Sequence, residues 1–260
     1  MKIQVSVFDL RLPVQLRESA AHFRQIENRK SKIENYSAFT LIELLVVISI
    51  IGILAGFTIP VLHAVKIRQY ESHAQAEMAQ LETAIESYKA AYGFYPPDNP
   101  GHLLTHQLYY ELVGTTNYVD SSSVNTYQTL DGSAQITAAN VPLAFTGGVN
   151  GFINCSKPGA GENSPAGRNF FQGLKPGQYQ SFTNGNNVYV TLLTTSVGGP
   201  DQSYNPLSLS FSGVNPWRYN SSNPTNNPVA YDLYVQLVIS GKTNLICNWS
   251  KQVQKNSPLP

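Results

Sequence analysis

The ionisable and nucleophilic side chains of this 260-residue chain are few, and one of them stands in a setting that isolates its chemistry. Glu43 opens a run, Leu44 to Leu62, that contains no charged residue. A carboxylate at the edge of such a stretch is costly to desolvate, so it calls for a cationic partner at the same depth. The other candidates carry less. His102 and His106 stand four apart, a spacing that would put both on one helical face and could hold zinc. Two ligands are too few, however, and no Glu follows the first His as in a metalloprotease helix. Cys155 and Cys247 are two isolated thiols, also too few for a metal centre. The serines form no nucleophile constellation and no Gly-rich loop resembles a phosphate cradle. On these residues the chain is not an enzyme and needs no cofactor.

The elements that must position Glu43 begin with the apolar run itself. At 1.5 Å per helical residue, its nineteen residues span roughly 28 Å, the thickness of a bilayer's hydrocarbon core. Gly52, Gly56 and Pro60 lie within it, and membrane helices tolerate these residues better than water-exposed ones. After Pro60, which should kink the helix, the pattern turns amphipathic. Ala64, Ile67, Ala74, Met78, Leu81, Ile85, Tyr88 and Tyr92 form one stripe, with Lys66, Arg68, Glu71, Glu77, Glu82, Glu86 and Lys89 between them. Gly93 stops the helix and Pro96-Pro97 prevents its resumption.

The division expected is residues 1–38 as a leader, 39–62 as a membrane or filament-core helix, 63–93 as an amphipathic stalk and 94–260 as a head. In the head, residues 102–113 (HLLTHQLYYELV) read as a short helix ended by Gly114. Residues 114–184, rich in Ser, Thr, Asn and Gly, read as loops with small elements. Val188–Thr195 reads as a strand, and residues 230–239 and 243–249 read as a hairpin around Ser240-Gly241-Lys242. A long helix followed by a few antiparallel strands is an α+β fold.

Charge gives the topology. The first 38 residues hold seven Lys/Arg against four Asp/Glu, while the remainder holds ten basic and twelve acidic residues. A basic flank before an apolar run predicts a single-pass protein with its N terminus in the cytoplasm and its head exported. No basic patch lies beyond the flank, so nucleic-acid binding has no electrostatic support. Cys155 and Cys247 both fall in the exported part, where a pair is open to bridging across a loop of about 90 residues. A disulfide and two free thiols stand as the alternatives.

Ala38-Phe39-Thr40-Leu41-Ile42-Glu43 followed by the apolar run resembles the signature of type IV pilins and type II secretion pseudopilins, with Ala38 where that family usually has Gly. The resemblance implies cleavage between Ala38 and Phe39 by prepilin peptidase, N-methylation of Phe39, and pairing of Glu43 with the amine of a neighbouring subunit during assembly. It implies as partners further copies of the chain, other pseudopilins and an inner-membrane assembly platform, with the head in the periplasm. The order Asn215-Pro216-Trp217, Tyr231-Asp232-Leu233-Tyr234 and Asn248-Trp249 is similar to the tail of major pseudopilins, which commonly carry a calcium-binding acidic loop there. The corresponding stretch here, ISGKTNLIC, has no carboxylate and leaves Asp232 as the nearest acid for calcium. A surface type IV pilus subunit for adhesion, motility or DNA uptake is the alternative within the class. A signal-anchored periplasmic ligand-binding domain or enzyme is the alternative outside it.

Overall fold

A computed structural model describes residues 39–157, 166–197, 207, 214–239 and 241–260, and for residues 58–63 the backbone alone. The expected leader, residues 1–38, lies outside the described residues. Two compact units divide the chain, residues 1–58 and 59–260. Helix α1 (Leu41–Tyr92) contributes residues to both. Its helical assignment continues through Pro60, but the kink expected there concerns a residue whose side chain lies outside the described set.

In the second unit, α1 buries a face made of Ala74, Leu81, Ala84, Ile85 and Tyr88, with Ile67, Tyr70, Met78 and Tyr92 half-buried beside them. The spacing of three and four is that of the expected stripe, which holds from Ile67 onward while Ala64 is exposed. Two acids, Glu71 and Glu77, are also on the buried face at 9% and 4% exposure, where the sequence reading set them among the polar positions. The helix ends at Gly93, whose positive φ of 85° suits glycine and whose N–H donates to the Lys89 carbonyl at 2.7 Å.

Helix α2 (Leu108–Val113) is shorter than the helix expected over 102–113, and every residue in it is buried. His102 and His106 therefore share no helical face. Gly114 closes α2 at φ 76°, with its N–H on the Tyr110 carbonyl. A Cβ there would lie 2.6 Å from the Arg168 carbonyl oxygen, so this position requires glycine twice over.

Three sheets follow. β1 (Thr115–Val119), β2 (Asn125–Thr129) and β3 (Gln135–Thr137) form an antiparallel meander, and the two-residue β4 (Cys155–Ser156) adds in parallel to β1. A single turn of 3-10 helix, Ala138–Asn140, leads into α3 (Val141–Ala144). β5 (Tyr179–Thr183) and β6 (Tyr189–Leu193) make a separate hairpin. β7 (Arg218–Asn220), β8 (Asp232–Ile239), β9 (Lys242–Cys247) and β10 (Ser250–Lys255) form the last sheet, in the order β10-β9-β8-β7. The expected hairpin is β8–β9, closing with Ile239 opposite Lys242. The fold is α+β. Its core joins Trp217, Leu192, Leu193, Leu233, Val235 and Leu237 to the buried face of α1 and to Leu108, Tyr110 and Leu112 of α2.

Candidate functional site

The N-terminal end of α1 is a reciprocal cap. Thr40 precedes the first helical residue, and its backbone N–H and its hydroxyl donate to Glu43 Oε2 at 2.8 and 2.7 Å. The N–H of Glu43 donates back to Thr40 Oγ1 at 3.3 Å. Thr-x-x-Glu is the capping-box spacing, which satisfies two of the orphan donors at a helix start. Glu43 is thus fixed at the positive end of the helix dipole. Phe39 adjoins it, 71% exposed.

Beyond the cap the helix is apolar on all sides. Leu41, Ile42, Leu45, Val46, Ile48, Ile51 and Leu54 are all at least 48% exposed, and their positions are distributed around the whole circumference. A helix with no polar face is one that other apolar matter must surround. Among the described residues, no helix is long and apolar enough to cross a membrane. The expected span over 39–62 runs into residues 58–62, whose side chains lie outside the described residues.

Within residues 59–260, polar staples fix α1 to the strands and loops around it. The hydroxyl of Tyr88 donates to Glu111 Oε2 at 3.0 Å, and Glu111 also accepts from the N–H groups of Ile153 (2.8 Å) and Asn154 (3.0 Å). Asn154 extends the node. Its amide donates to the carbonyls of Glu111 and Arg168, and its Oδ1 accepts from Tyr92 Oη at 2.8 Å and from the Arg168 N–H at 2.7 Å. Burial pushes the Glu111 carboxyl above its usual value, and the three donors hold it back from rising further. Three helical turns before Tyr88, Glu77 accepts from the Thr195 hydroxyl at 2.9 Å and from the N–H and hydroxyl of Ser196, with His73 Nε2 at 3.6 Å. Gln75 donates to the Lys251 carbonyl at 3.3 Å, and Lys255 Nζ lies 3.9 Å from Glu71.

Glu111 escaped the sequence reading. The available signal was a lone acid inside the apolar hexapeptide LYYELV, where a carboxylate has to find donors or be excluded.

Cys155 and Cys247 are unbridged in the structure. Cys155 is on β4 and Cys247 on β9, in different sheets, and both are buried free thiols. Burial raises the pKa of each. His102 meets Thr146 Oγ1 at 3.0 Å, whereas His106 is fully buried and donates from Nε2 to the Trp217 carbonyl at 2.8 Å. Desolvation lowers the His106 pKa to about 4, keeping it neutral. Asp232, 2% exposed, opens β8, and its two oxygens collect the N–H groups of residues 225–227. Among the described residues, no group of three or more His, Cys, Asp or Glu is placed to hold a metal ion.

Residues 35–59 match the prokaryotic N-terminal methylation motif. Type II secretion system core protein G of Vibrio cholerae is 36% identical over 70 residues, covering 27% of this chain and 48% of that protein. The protein of the same name from Escherichia coli K12 is 40% identical over 63 residues, covering 24% and 43%. That of Aeromonas hydrophila is 38% identical over 65 residues, covering 25% and 46%. The chain thus spans a little under half the length of these curated relatives. No solved structure matches it.

Proposed function

We propose that this chain is a structural filament subunit, a pseudopilin of a type II secretion-like system. Prepilin peptidase cuts its leader between Ala38 and Phe39 and methylates the new amine. The subunit then sits in the inner membrane through residues 39–62, with its N terminus on the cytoplasmic side and its head in the periplasm. It joins further copies of itself and other pseudopilins at the assembly platform, and its head performs no catalysis. The observation that carries this reading is the match of residues 35–59 to the methylation motif, which takes in Phe39 and Glu43. The relatives named for type II secretion support the choice of system, and the exposed apolar helix supports assembly through that element.

In assembly, the methylated amine of one subunit meets the Glu43 carboxylate of the next. Each charge alone in an apolar surrounding costs several kcal/mol, and pairing them offsets much of that. N-terminal mass spectrometry of membrane protein from the native host tests the reading. A mature chain beginning with N-methylated Phe39 is expected, and an intact leader or a cut at another bond would overturn it.

A further inference from the structure

We infer that the loop between β7 and β8 is closed by two carboxylates of the chain itself, Asp98 and Asp232, and that neither this loop nor strands β8 and β9 draw on a calcium ion for their fold. The tail's resemblance to major pseudopilins implies a calcium-binding loop before the terminal Trp, and the residues present do not fit one. In the corresponding stretch, the backbone of Ile239 and of residues 242–247 is committed to strand pairing. Leu237 faces Asn244, Val238 faces Thr243 and Ile239 faces Lys242, while Leu245 and Asn244 pair on the other side with Gln254 and Lys255 of β10. Lys242 brings a cation to the position where calcium would need oxygen ligands.

Asp232 offers no alternative. Its Oδ2 accepts from the N–H of Thr225 (2.9 Å), the N–H of Asn226 (2.9 Å), the Asn226 side-chain amide (3.0 Å) and the Thr225 hydroxyl (3.3 Å). Its Oδ1 accepts from the N–H of Asn227 at 2.8 Å. Asp98 does the same one turn earlier, accepting at Oδ2 from the N–H groups of Ser221 (3.0 Å) and Ser222 (3.1 Å) and from the Ser222 hydroxyl (2.8 Å). Five backbone N–H groups of the loop therefore end on buried carboxylates. A ring of N–H groups is the positive end of its dipoles, so it attracts an anion and repels a cation. In a calcium loop, oxygens gather around a positive ion. Here the polarity is inverted, with donors gathered around a negative side chain.

The test uses the full chain in detergent micelles, with thermal unfolding and limited proteolysis compared in EGTA and in millimolar calcium chloride. The wild type should give the same midpoint and the same fragments in both. Asp232→Asn turns an amide N–H toward N–H donors, so its midpoint should fall by ~5 °C or more, equally in both buffers. If that variant does not fold, Asn226→Ala, which removes one donor, should give a smaller fall that calcium does not restore. A wild-type midpoint raised by several degrees in calcium would overturn the inference, because a ligand that binds only the folded state must stabilise it. An unchanged midpoint in Asp232→Asn would also overturn it. Because the inference stands on this loop's hydrogen bonding, a calcium-dependent protein still cleaved before Phe39 would refute it and leave the filament reading intact.

Discussion

Tyr88, on the buried face of α1, donates a 3.0 Å hydrogen bond to Glu111 of α2, and that carboxylate also accepts from the N–H groups of Ile153 and Asn154. One hydroxyl thus ties the long helix to a buried acid on which a loop is also folded. Tyr88→Phe keeps the ring contacts with Tyr92 and Phe170 and removes only that bond. A hydrogen bond to a buried carboxylate contributes roughly 1.5–3 kcal/mol. Chemical denaturation of the variant should show a loss in that range with an unchanged denaturant slope.

The same acid sets a pH dependence. The folded-state pKa of Glu111 is raised, so between its ordinary value of 4.5 and that raised value the native chain binds a proton that the unfolded chain has released. Stability from this group therefore declines as pH rises through that window. Glu111→Gln removes the titration while losing at least one acceptor. The stability difference between wild type and variant, from urea melts at several pH values, should shrink as pH increases above about 4.5.

His106 acts in the opposite direction. Its pKa falls from an ordinary 6.5 to about 4 in the fold, so below pH 6.5 the unfolded chain takes up the proton first. Stability is lost as pH falls from about 6.5 toward 4, by up to ~3 kcal/mol for this group. His106→Gln retains an amide able to donate to the Trp217 carbonyl. It should be somewhat less stable at neutral pH and should lose less on acidification. Equal acid sensitivity in both proteins would rule the assignment out.

At the N terminus, Glu43→Gln is a cleaner probe than Glu43→Ala. Gln still completes the capping box with Thr40, so the helix start survives and only the charge is lost. Leader cleavage depends on the residues at the junction and should proceed in both variants. In a host lacking the native copy, processed protein should accumulate while sheared or secreted filaments are absent. Normal filament yield from Glu43→Gln would show that assembly does not need the charge.

Cys155 and Cys247 should be recovered as two thiols. Both are buried with raised pKa values, so alkylation of the folded protein should be slow and should become complete on denaturation without reductant. Peptide mapping that finds them joined would contradict their placement in separate sheets.

The sequence made some of these elements plain and hid others, for reasons visible in the residues. The stripe of α1, its stop at Gly93 and the β8–β9 hairpin follow from periodicity and from residues with one conformational use. The meander β1–β3 was read as loops because TTNYV and NTYQT are polar and lack a clean alternation. Their pairing is set by partners such as Tyr127 opposite Ile136, and no local signal announces that. β10, SKQVQK, was missed for the same reason; it is an exposed edge tied to α1 through Lys251 and Lys255. Glu71 and Glu77 stand among polar positions in the sequence, and only the fold brings Lys255 to the one and Thr195 and Ser196 to the other. Glu43 stands out in the sequence as an isolated acid at the edge of an apolar run, whereas its use as a helix cap requires the geometry of Thr40.

The staples on α1 run from Glu71 to Tyr92, about 30 Å of helix, and join it sideways to β10, to the residues after β6, to α2 and to the residues before β4. A pull along the helix axis would load them in shear, all at once, instead of peeling them one after another. The joint between the helix and the strands beside it should therefore resist axial traction far better than a sideways tug at Tyr92. Single-molecule extension in the two directions would register that anisotropy as a difference in rupture force.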